Sequence, residues 1–228
     1  MNIKGLQKLT LLDFPGRIGC TVFLGGCNFR CPFCHNASLV TGESGDGISE
    51  EELFSFLEKR RGMLEGVCVT GGEPTLSPEL DRLLLRIREM GYKTKLDTNG
   101  YMPERLGGLI DAQLDDYVAM DIKSSRERYA EVAGVAGLDV SKIERSAEIL
   151  MEGKIPFEFR TTVVRELHNP GDFENIGEWL RGNEKFFLQG FVDSGDLISG
   201  GIHGYDKEEM VYLLNVLKVY IPNAEIRG

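Results

Sequence analysis

The sequence has no apolar run that approaches the ~20 residues needed to span a bilayer. The first residues, Met1 to Gly5, also lack the long apolar core of a secretory signal peptide. We therefore expect a protein that works in the reducing cytoplasm and has no membrane partner.

An excess of positive charge is also absent. The chain has 26 Lys and Arg residues against 36 Asp and Glu residues, and its formal net charge is −10. Domains that bind nucleic acids by neutralising phosphates are usually basic on one face, so we expect no nucleic-acid partner. The 228 residues, of which 42% are apolar, are typical of a soluble globular protein that buries a core without disulfides.

The five cysteines are an odd number, and a chain without an export signal is a poor candidate for a disulfide framework. Three of them, Cys27, Cys31 and Cys34, form a C-x3-C-x2-C run. Free thiols in a turn are one interpretation and a structural zinc site is another. Zinc needs four ligands, and the nearby candidate, His35, is adjacent to Cys34 and poorly placed to close the same tetrahedron. The spacing favours a [4Fe–4S] cluster held by three thiolates, with one iron left open to a ligand.

Short apolar runs alternate about six times with segments of helical periodicity, and the first predicted strand covers residues 18–24. This alternation predicts βαβ units and a mainly parallel sheet in an α/β fold. The sheet can form a doubly wound layer or a partial barrel. Unusual polar residues follow the strands, where barrel enzymes place their sites. No linker divides the chain, so we expect a single domain over residues 1–228.

A glycine pair and a carboxylate, Gly71-Gly72-Glu73, follow the second predicted strand. Glycines after a strand are common in turns, but they also let the backbone approach a ligand closely. The Glu73 carboxylate can accept hydrogen bonds from an ammonium group. Together with the cysteine run at the preceding strand end, this segment predicts a binding site.

Charged residues mark the next strand ends. Asp121 and Lys123 alternate on one face of an extended chain, as a solvated ion pair or a binding site would. Arg160 lies between apolar strand residues and needs a carboxylate or phosphate partner. That partner is either an acid of the protein, for instance Glu158, or a ligand.

The cysteine run, with Phe33 before its third cysteine, resembles the signature of the radical S-adenosylmethionine (SAM) superfamily. The flanking Asp13-Phe14-Pro15-Gly16 segment and the residues around the cysteines are similar to those of glycyl-radical-enzyme activases, above all the anaerobic ribonucleoside-triphosphate reductase activating proteins. The resemblance extends over about residues 13–189. It implies a radical SAM core, a partial (β/α)6 TIM-like barrel that is open on one side.

The resemblance also implies a set of ligands. Cys27, Cys31 and Cys34 would hold the [4Fe–4S] cluster, and SAM would chelate the open iron. The residues expected to bind SAM are Phe33, Gly71, Gly72, Glu73, Asp121, Lys123, Arg160 and Gln189. Gln189 replaces a His that reaches SAM in the pyruvate formate-lyase type of activase, and an amide does not titrate. The other histidines, His168 and His203, are expected in surface loops.

A monovalent cation, Na⁺ or K⁺, is also implied by the resemblance. Its expected ligands are Asp97, Thr98, Asp121 and the backbone carbonyl of Ala119. Hard oxygen ligands suit a hard cation. We expect such an ion to orient the SAM carboxylate and to offset the two aspartate charges.

The function implied is reductive cleavage of SAM to a 5′-deoxyadenosyl radical that installs a glycyl radical on a partner enzyme, of the anaerobic ribonucleotide reductase type. A flavodoxin- or ferredoxin-type protein would donate the electron. A minimal radical SAM enzyme acting on a small molecule, such as a deazapurine precursor, is the alternative within the superfamily. A non-catalytic iron–sulfur or zinc docking module is the alternative outside it.

Overall fold

Eight β-strands form one sheet in which the order in space is the order along the chain. The computed structural model describes residues 1–42 and 45–227. The strands are β1 (Ile3–Thr10), β2 (Gly19–Leu24), β3 (Gly66–Gly71), β4 (Lys93–Thr98), β5 (Tyr117–Asp121), β6 (Phe157–Val163), β7 (Phe186–Gly190) and β8 (Glu225–Arg227). Strands β2 to β8 run parallel, and β1 pairs antiparallel with β2.

The helices lie in the connections between the parallel strands. They are α1 (Ala37–Thr41), α2 (Glu50–Lys59), α3 (Leu80–Glu89), α4 (Pro103–Asp111), α5 (Tyr129–Val132), α6 (Val140–Met151), α7 (Pro170–Trp179) and α8 (Lys207–Lys218), and a 3₁₀ turn covers Pro74–Leu76. Within the described ranges, no helix has both the length and the apolar character needed to cross a membrane.

Six consecutive parallel strands, β2 to β7, are each followed by at least one helix. This is the (β/α)6 arrangement that the alternation and the resemblance predicted. The edge strands β1 and β8 do not pair with each other in the described sheet, so the barrel stays open on that side. The expected α/β fold with a partial TIM-like barrel is confirmed.

The core between sheet and helices follows the sequence pattern. On α3, Leu80, Leu83 and Ile87 recur at helical spacing, and all three are buried. The Ser49 side chain accepts from the backbone of Glu52 at the start of α2, and the Glu52 side chain accepts in return. This capping box marks the start of the helix.

Strand β1 was not predicted, because its sequence does not look like a strand of a parallel sheet. It is an edge strand with one partner, and Gln7, Lys8 and Leu9 are exposed on it. The strong signal in this sequence is the continuous apolar run of a strand buried on both faces, and β1 lacks such a run. The short helices α1 and α5 were also missed, since one turn or little more leaves no periodicity to detect.

The interior of the barrel carries ion pairs among its apolar side chains. Arg227 on β8 donates two hydrogen bonds, of 2.6 and 2.9 Å, to the buried carboxylate of Glu158 on β6. The Tyr117 hydroxyl donates a third, of 2.9 Å. Below this group, Phe14 packs its buried ring against Gly66 and Tyr117 at the amino ends of β3 and β5. The Asp13-Phe14-Pro15-Gly16 segment therefore helps to close the end of the barrel opposite the site described below.

Asp115 is a buried acid in the turn before β5. Neither of its carboxylate oxygens has a hydrogen-bond partner among the described residues. Burial, with a smaller contribution from Asp116, raises the pKa of Asp115 to about 7. In the unfolded chain the same group ionises near pH ~4. Between these values the folded protein binds more protons than the unfolded chain, so the free energy of unfolding falls as the pH rises.

We predict that the wild type loses about 3 kcal/mol more of its free energy of unfolding between about pH 4.5 and about pH 8 than the variant Asp115→Asn. The variant has no carboxyl group at position 115 to ionise. Urea unfolding at the two pH values measures the difference. Asp111→Asn, at an exposed position on α4, is the control and should follow the wild type. Equal pH dependence in Asp115→Asn and the wild type would contradict the prediction.

Candidate active site

A cavity of about 190 Å³ lies at the carboxyl ends of β2 to β6. The residues that line it are Cys27, Phe29, Cys31, Phe33, Cys34, His35, Asn36, Val40, Thr70, Gly71, Gly72, Asp97, Thr98, Asn99, Asp121, Lys123, Arg160 and Thr162. The structure thus brings together most of the residues singled out in the sequence, because parallel strands place their carboxyl ends at one edge of the sheet.

The three cysteines of the C-x3-C-x2-C run lie in the loop after β2 and face this cavity as free thiols. The loop is held by its own backbone: the Cys34 N–H donates to the Cys31 carbonyl (3.0 Å), and the Arg30 N–H donates to the carbonyl of Ala133 (2.9 Å). The Arg30 guanidinium donates to the Cys27 carbonyl at 2.7 Å. These contacts fix the direction of the three side chains.

Burial disfavours the thiolate forms of Cys27 and Cys31. It raises the pKa of the Cys31 thiol to about 12, and it also raises the pKa of Cys27. Thiolates are the form that binds metals, so iron must displace these protons.

The donor set fits a cluster better than a single ion. Among the described residues, no three His, Cys, Asp or Glu side chains converge on one point as a lone metal ion requires. In a [4Fe–4S] cluster each thiolate meets a different iron, so the three sulfurs need not converge. Three thiols on one wall of the cavity therefore fit a cluster that has three cysteine ligands.

Gly71 and Gly72 bring the end of β3 against the cysteine loop. Gly71 has a φ of +120°, and a Cβ on Gly72 would lie 1.9 Å from the carbonyl oxygen of Gly26. Only glycine allows this approach. It permits two hydrogen bonds of 2.8 Å, from Gly72 N–H to the Leu24 carbonyl and from Glu73 N–H to the Gly26 carbonyl. The glycine backbone thus lines the cavity beside Cys27.

The Glu73 carboxylate is directed into the loops and does not line the cavity. Its side chain is buried, and it accepts hydrogen bonds from Thr75 and from the Thr98 hydroxyl (2.8 Å) and the Asn99 N–H (2.6 Å). This differs from the expectation that its oxygens accept from an ammonium group of a ligand. Here the carboxylate joins the turn after β3 to the turn after β4.

The charged residues form one connected group on the cavity wall. Arg160 donates to both aspartates, with its Nε 3.0 Å from Asp121 Oδ1 and its Nη1 3.2 Å from Asp97 Oδ2. Lys123 donates to Asp121 Oδ2 at 3.1 Å. Strand register explains the contact, since Asp121 lies opposite Arg160 in the β5–β6 pair. The sequence left open whether Arg160 pairs with an acid of the protein or with a ligand, and the structure shows two acids of the protein. Glu158, the example given, pairs with Arg227 instead.

Mutual pairing keeps these groups charged. Burial alone would raise the pKa of Asp121, but Arg160 and Lys123 lower it to about 2. Burial would lower the pKa of Lys123, but Asp121 raises it above its ordinary value. The wall therefore presents fixed charges to a ligand.

A buried lysine that the sequence reading overlooked completes the group. Lys95 on β4 has 1% of its surface exposed and contacts Asp97. It was missed because a lysine within a strand reads as a solvated residue, although Lys95 and Asp97 are two residues apart and share a face.

The expected cation ligands are close together in the fold. Asp97 lies opposite Ala119 in the β4–β5 pair. The Thr98 hydroxyl donates to Glu73 and accepts from the Gly100 N–H at 3.1 Å. The four carboxylate oxygens of Asp97 and Asp121 each contact a lysine or arginine. The cation itself stays a prediction.

Phe33 and Gln189 have different environments. Phe33 lines the cavity with a buried ring. Gln189 lies on β7 and is half-buried; it does not line the cavity but lies opposite the wall residue Thr162 in the β6–β7 pair. Residues on the wall that were not singled out include Thr70, Asn99 and Thr162; their position at or just after a strand end was the available signal.

The expectation of a surface role was wrong for His168 and is correct for His203, which is exposed and pairs with Glu166. His168 is buried: its Nδ1 accepts from the Val164 N–H (3.1 Å) and its Nε2–H donates to the Lys123 carbonyl (2.8 Å). The ring therefore supports the loop that carries Lys123.

Comparison with known proteins agrees with this geometry. The sequence profile of the radical SAM superfamily matches residues 21–180. A candidate glycyl-radical enzyme activating enzyme of Methanocaldococcus jannaschii is 30% identical over 231 residues, which cover 99% of this chain and 95% of that protein. The pyruvate formate-lyase-activating enzyme of Clostridium pasteurianum is 36% identical over 105 residues, which cover 44% of each chain.

Among solved structures, SuiB of Streptococcus suis bound to S-adenosylmethionine has a TM-score of 0.66 over 89% of this chain, at 18% identity. The chain spans about half of that structure, 48% of its length, so this likeness shows the fold alone. The superfamily profile and the relative of nearly equal length also show the family of this chain. The chain belongs to the radical SAM superfamily, and it is an enzyme of the kind that uses a [4Fe–4S] cluster and SAM.

Proposed function

We propose that this chain activates a glycyl-radical enzyme, and that its partner is of the anaerobic ribonucleotide reductase type. The observation that carries the proposal is the convergence of the cysteine loop, the Gly71-Gly72 turn and the Asp121/Lys123/Arg160 group on one cavity. The activating-enzyme relative, which matches over nearly the whole chain, supports the choice of substrate.

The cluster ligands in this proposal are Cys27, Cys31 and Cys34. They are the three cysteines on the cavity wall, whereas Cys20 and Cys68 are fully buried within strands β2 and β3. When bound, the reduced cluster supplies one electron to the sulfonium of SAM, whose C5′–S bond breaks to give methionine and a 5′-deoxyadenosyl radical.

The protein positions SAM beside the cysteines. The Gly71-Gly72 backbone would bind the methionyl amino group, and Phe33 would pack near the adenine. The two aspartates and the three cations Lys95, Lys123 and Arg160 leave the wall with one net positive charge. That charge suits the SAM carboxylate, which can accept charge-assisted hydrogen bonds from Lys123 and Arg160. Gln189 lies opposite Thr162 of the wall in strand register and would approach SAM from that side.

The hydrogen donor is a backbone glycine of the partner. The barrel is open between β1 and β8, which leaves room for a protein segment to enter. The segment after β7 borders the cavity: the Ser199 N–H donates to the Pro32 carbonyl at 3.0 Å, and Phe191 contacts His35, which lines the wall. A macromolecular substrate would cover this side.

The chain acts as a single domain over residues 1–228 in the cytoplasm, under anaerobic conditions. A flavodoxin- or ferredoxin-type protein reduces the cluster. The docking-module alternative gives no role to the charged wall, and a small-molecule substrate is not favoured by the full-length relative.

The cluster assignment predicts a spectroscopic result. Protein reconstituted with iron and sulfide and then reduced should show a [4Fe–4S]⁺ electron paramagnetic resonance signal that changes shape on adding SAM, because SAM binds the open iron. Cys31→Ala should lose the cluster. Cys20→Ala, which removes a cysteine buried in β2, should keep it. Full iron and sulfide content in Cys31→Ala would reject the ligand assignment.

The substrate assignment predicts a radical on the partner. Reduced enzyme, SAM and a glycyl-radical enzyme from the same organism should give a glycyl radical signal, with about one 5′-deoxyadenosine formed per radical. Substituting the radical-site glycine of the partner by alanine should remove the signal. Formation of 5′-deoxyadenosine without any protein radical, for every such partner tested, would point to a small-molecule substrate.

The charged wall predicts a separation of iron binding from SAM binding. Lys123→Met should weaken SAM binding about 10- to 100-fold, since it removes a charge-assisted hydrogen bond, and should leave the iron content unchanged. Equilibrium dialysis against labelled SAM measures the affinity. Lys59→Met, exposed on α2, is the matched control. Loss of iron in Lys123→Met would mean that the wall also holds the cluster.

A further inference from the structure

Lys95 occupies an unusual place for a lysine. It lies in the middle of β4, between Cys68 on β3 and Tyr117 on β5 in the strand register. Its Nζ is 3.8 Å from the Cys68 sulfur and contacts Asp97 Oδ1. Almost no surface is exposed, so the ammonium cannot turn to water. A buried ammonium needs a paired carboxylate, and among the described residues its salt bridge is with Asp97.

The pairing follows from the strand itself. Lys95 and Asp97 are two residues apart on an extended chain and point to the same face, so the contact does not depend on loop geometry. Lys93 shares this alternation but lies at the exposed start of β4, where it pairs with Asp116 at 2.7 Å. Strand β4 thus carries one buried and one exposed lysine, and each of them pairs with an aspartate.

The oxygens that a bound cation would use are already engaged. Asp97 contacts Lys95 through one oxygen and Arg160 through the other, and Asp121 contacts Arg160 and Lys123. The Thr98 hydroxyl oxygen already accepts from the Gly100 N–H at 3.1 Å, which uses one of its two lone pairs. A cation bound here would be a fourth positive charge beside Lys95, Lys123 and Arg160, against only the two aspartate carboxylates. The repulsion among these positive charges disfavours binding of the cation.

We propose that Lys95 takes the place of a monovalent cation in this chain: its ammonium neutralises Asp97 from inside the barrel, so that SAM binding requires neither Na⁺ nor K⁺. This inference rests on the proposed function, since it assumes that SAM lies against this wall. Lys95 acts through Asp97 and Arg160 and is a positioning residue. It holds Asp97 in one place, and thereby sets the direction of the Arg160 guanidinium toward the ligand.

The first test is the salt dependence of the wild type. The affinity of the anaerobic, iron-loaded protein for SAM is measured by equilibrium dialysis in choline chloride, NaCl and KCl at equal ionic strength. We expect dissociation constants that agree within about twofold. Binding that is about tenfold or more weaker in choline would overturn the inference and leave the proposed function intact. No binding in any of the three salts would overturn the proposed function, and the inference with it.

The second test asks whether Lys95 is the reason. In choline chloride, the dissociation constant of Lys95→Met for SAM should be at least about tenfold higher than that of the wild type, because Asp97 loses its buried partner. Na⁺ or K⁺ should restore much of the affinity, since a small cation can then reach Asp97. Lys93→Met, on the same strand, should behave as the wild type in all three salts.

Rescue by a cation is a result that a purely structural role would not give. Wild-type affinity of Lys95→Met in choline would overturn the inference, as would a loss that no cation repairs. If Lys95→Met does not fold, the wild-type comparison still decides whether SAM binding requires Na⁺ or K⁺. Lys95→Arg, which keeps the charge, then serves as the second variant and should bind SAM equally in the three salts.

Discussion

The buried residue Glu73 holds three strand ends in a fixed relation. Its backbone N–H donates to the Gly26 carbonyl after β2, the residue itself lies two positions after the end of β3, and its carboxylate accepts from Thr98 and Asn99 at the end of β4. The cysteine loop, the glycine turn and the start of the charged wall therefore share one anchor. The close approach of Gly72 to Gly26 is the condition for this arrangement, because any side chain at Gly72 would separate the strand ends.

The interior of this barrel differs from a packed hydrocarbon core. Barrels of parallel strands are commonly filled by layers of branched apolar side chains, whereas here Glu158 with Arg227 and Lys95 with Asp97 occupy inward positions. Buried ion pairs add little net stability, and breaking one is expensive. Their value in this molecule lies in position: the Glu158–Arg227 pair joins β6 to β8, and Lys95 holds Asp97, which lines the cavity wall.

Sequence reasoning could predict the parts of the structure that depend on local pattern. The three cysteines, the glycine turn and the strand-end aspartates are close in sequence to the strands that carry them, and the parallel sheet brings them together without further information. It could not predict contacts that depend on which residues face each other across strands. Lys95 was not singled out and His168 was expected at the surface, and both are buried for reasons of register and packing. The Glu73 carboxylate was expected to meet a ligand, and in the structure it contacts Thr75, Thr98 and Asn99.

The ion pairing on the wall also makes the cavity electrically insensitive to acidity. Although burial disfavours their charged forms, pairing lowers the pKa values of Asp97 and Asp121 and raises those of Lys123 and Arg160. Burial lowers the pKa values of His35 and His168, which favours their neutral forms. The paired aspartates, lysine and arginine of the wall keep their charges in the neutral range. The field that a bound ligand experiences is therefore constant there, which suits a reaction that moves an electron and a hydrogen atom and uses no titrating acid or base.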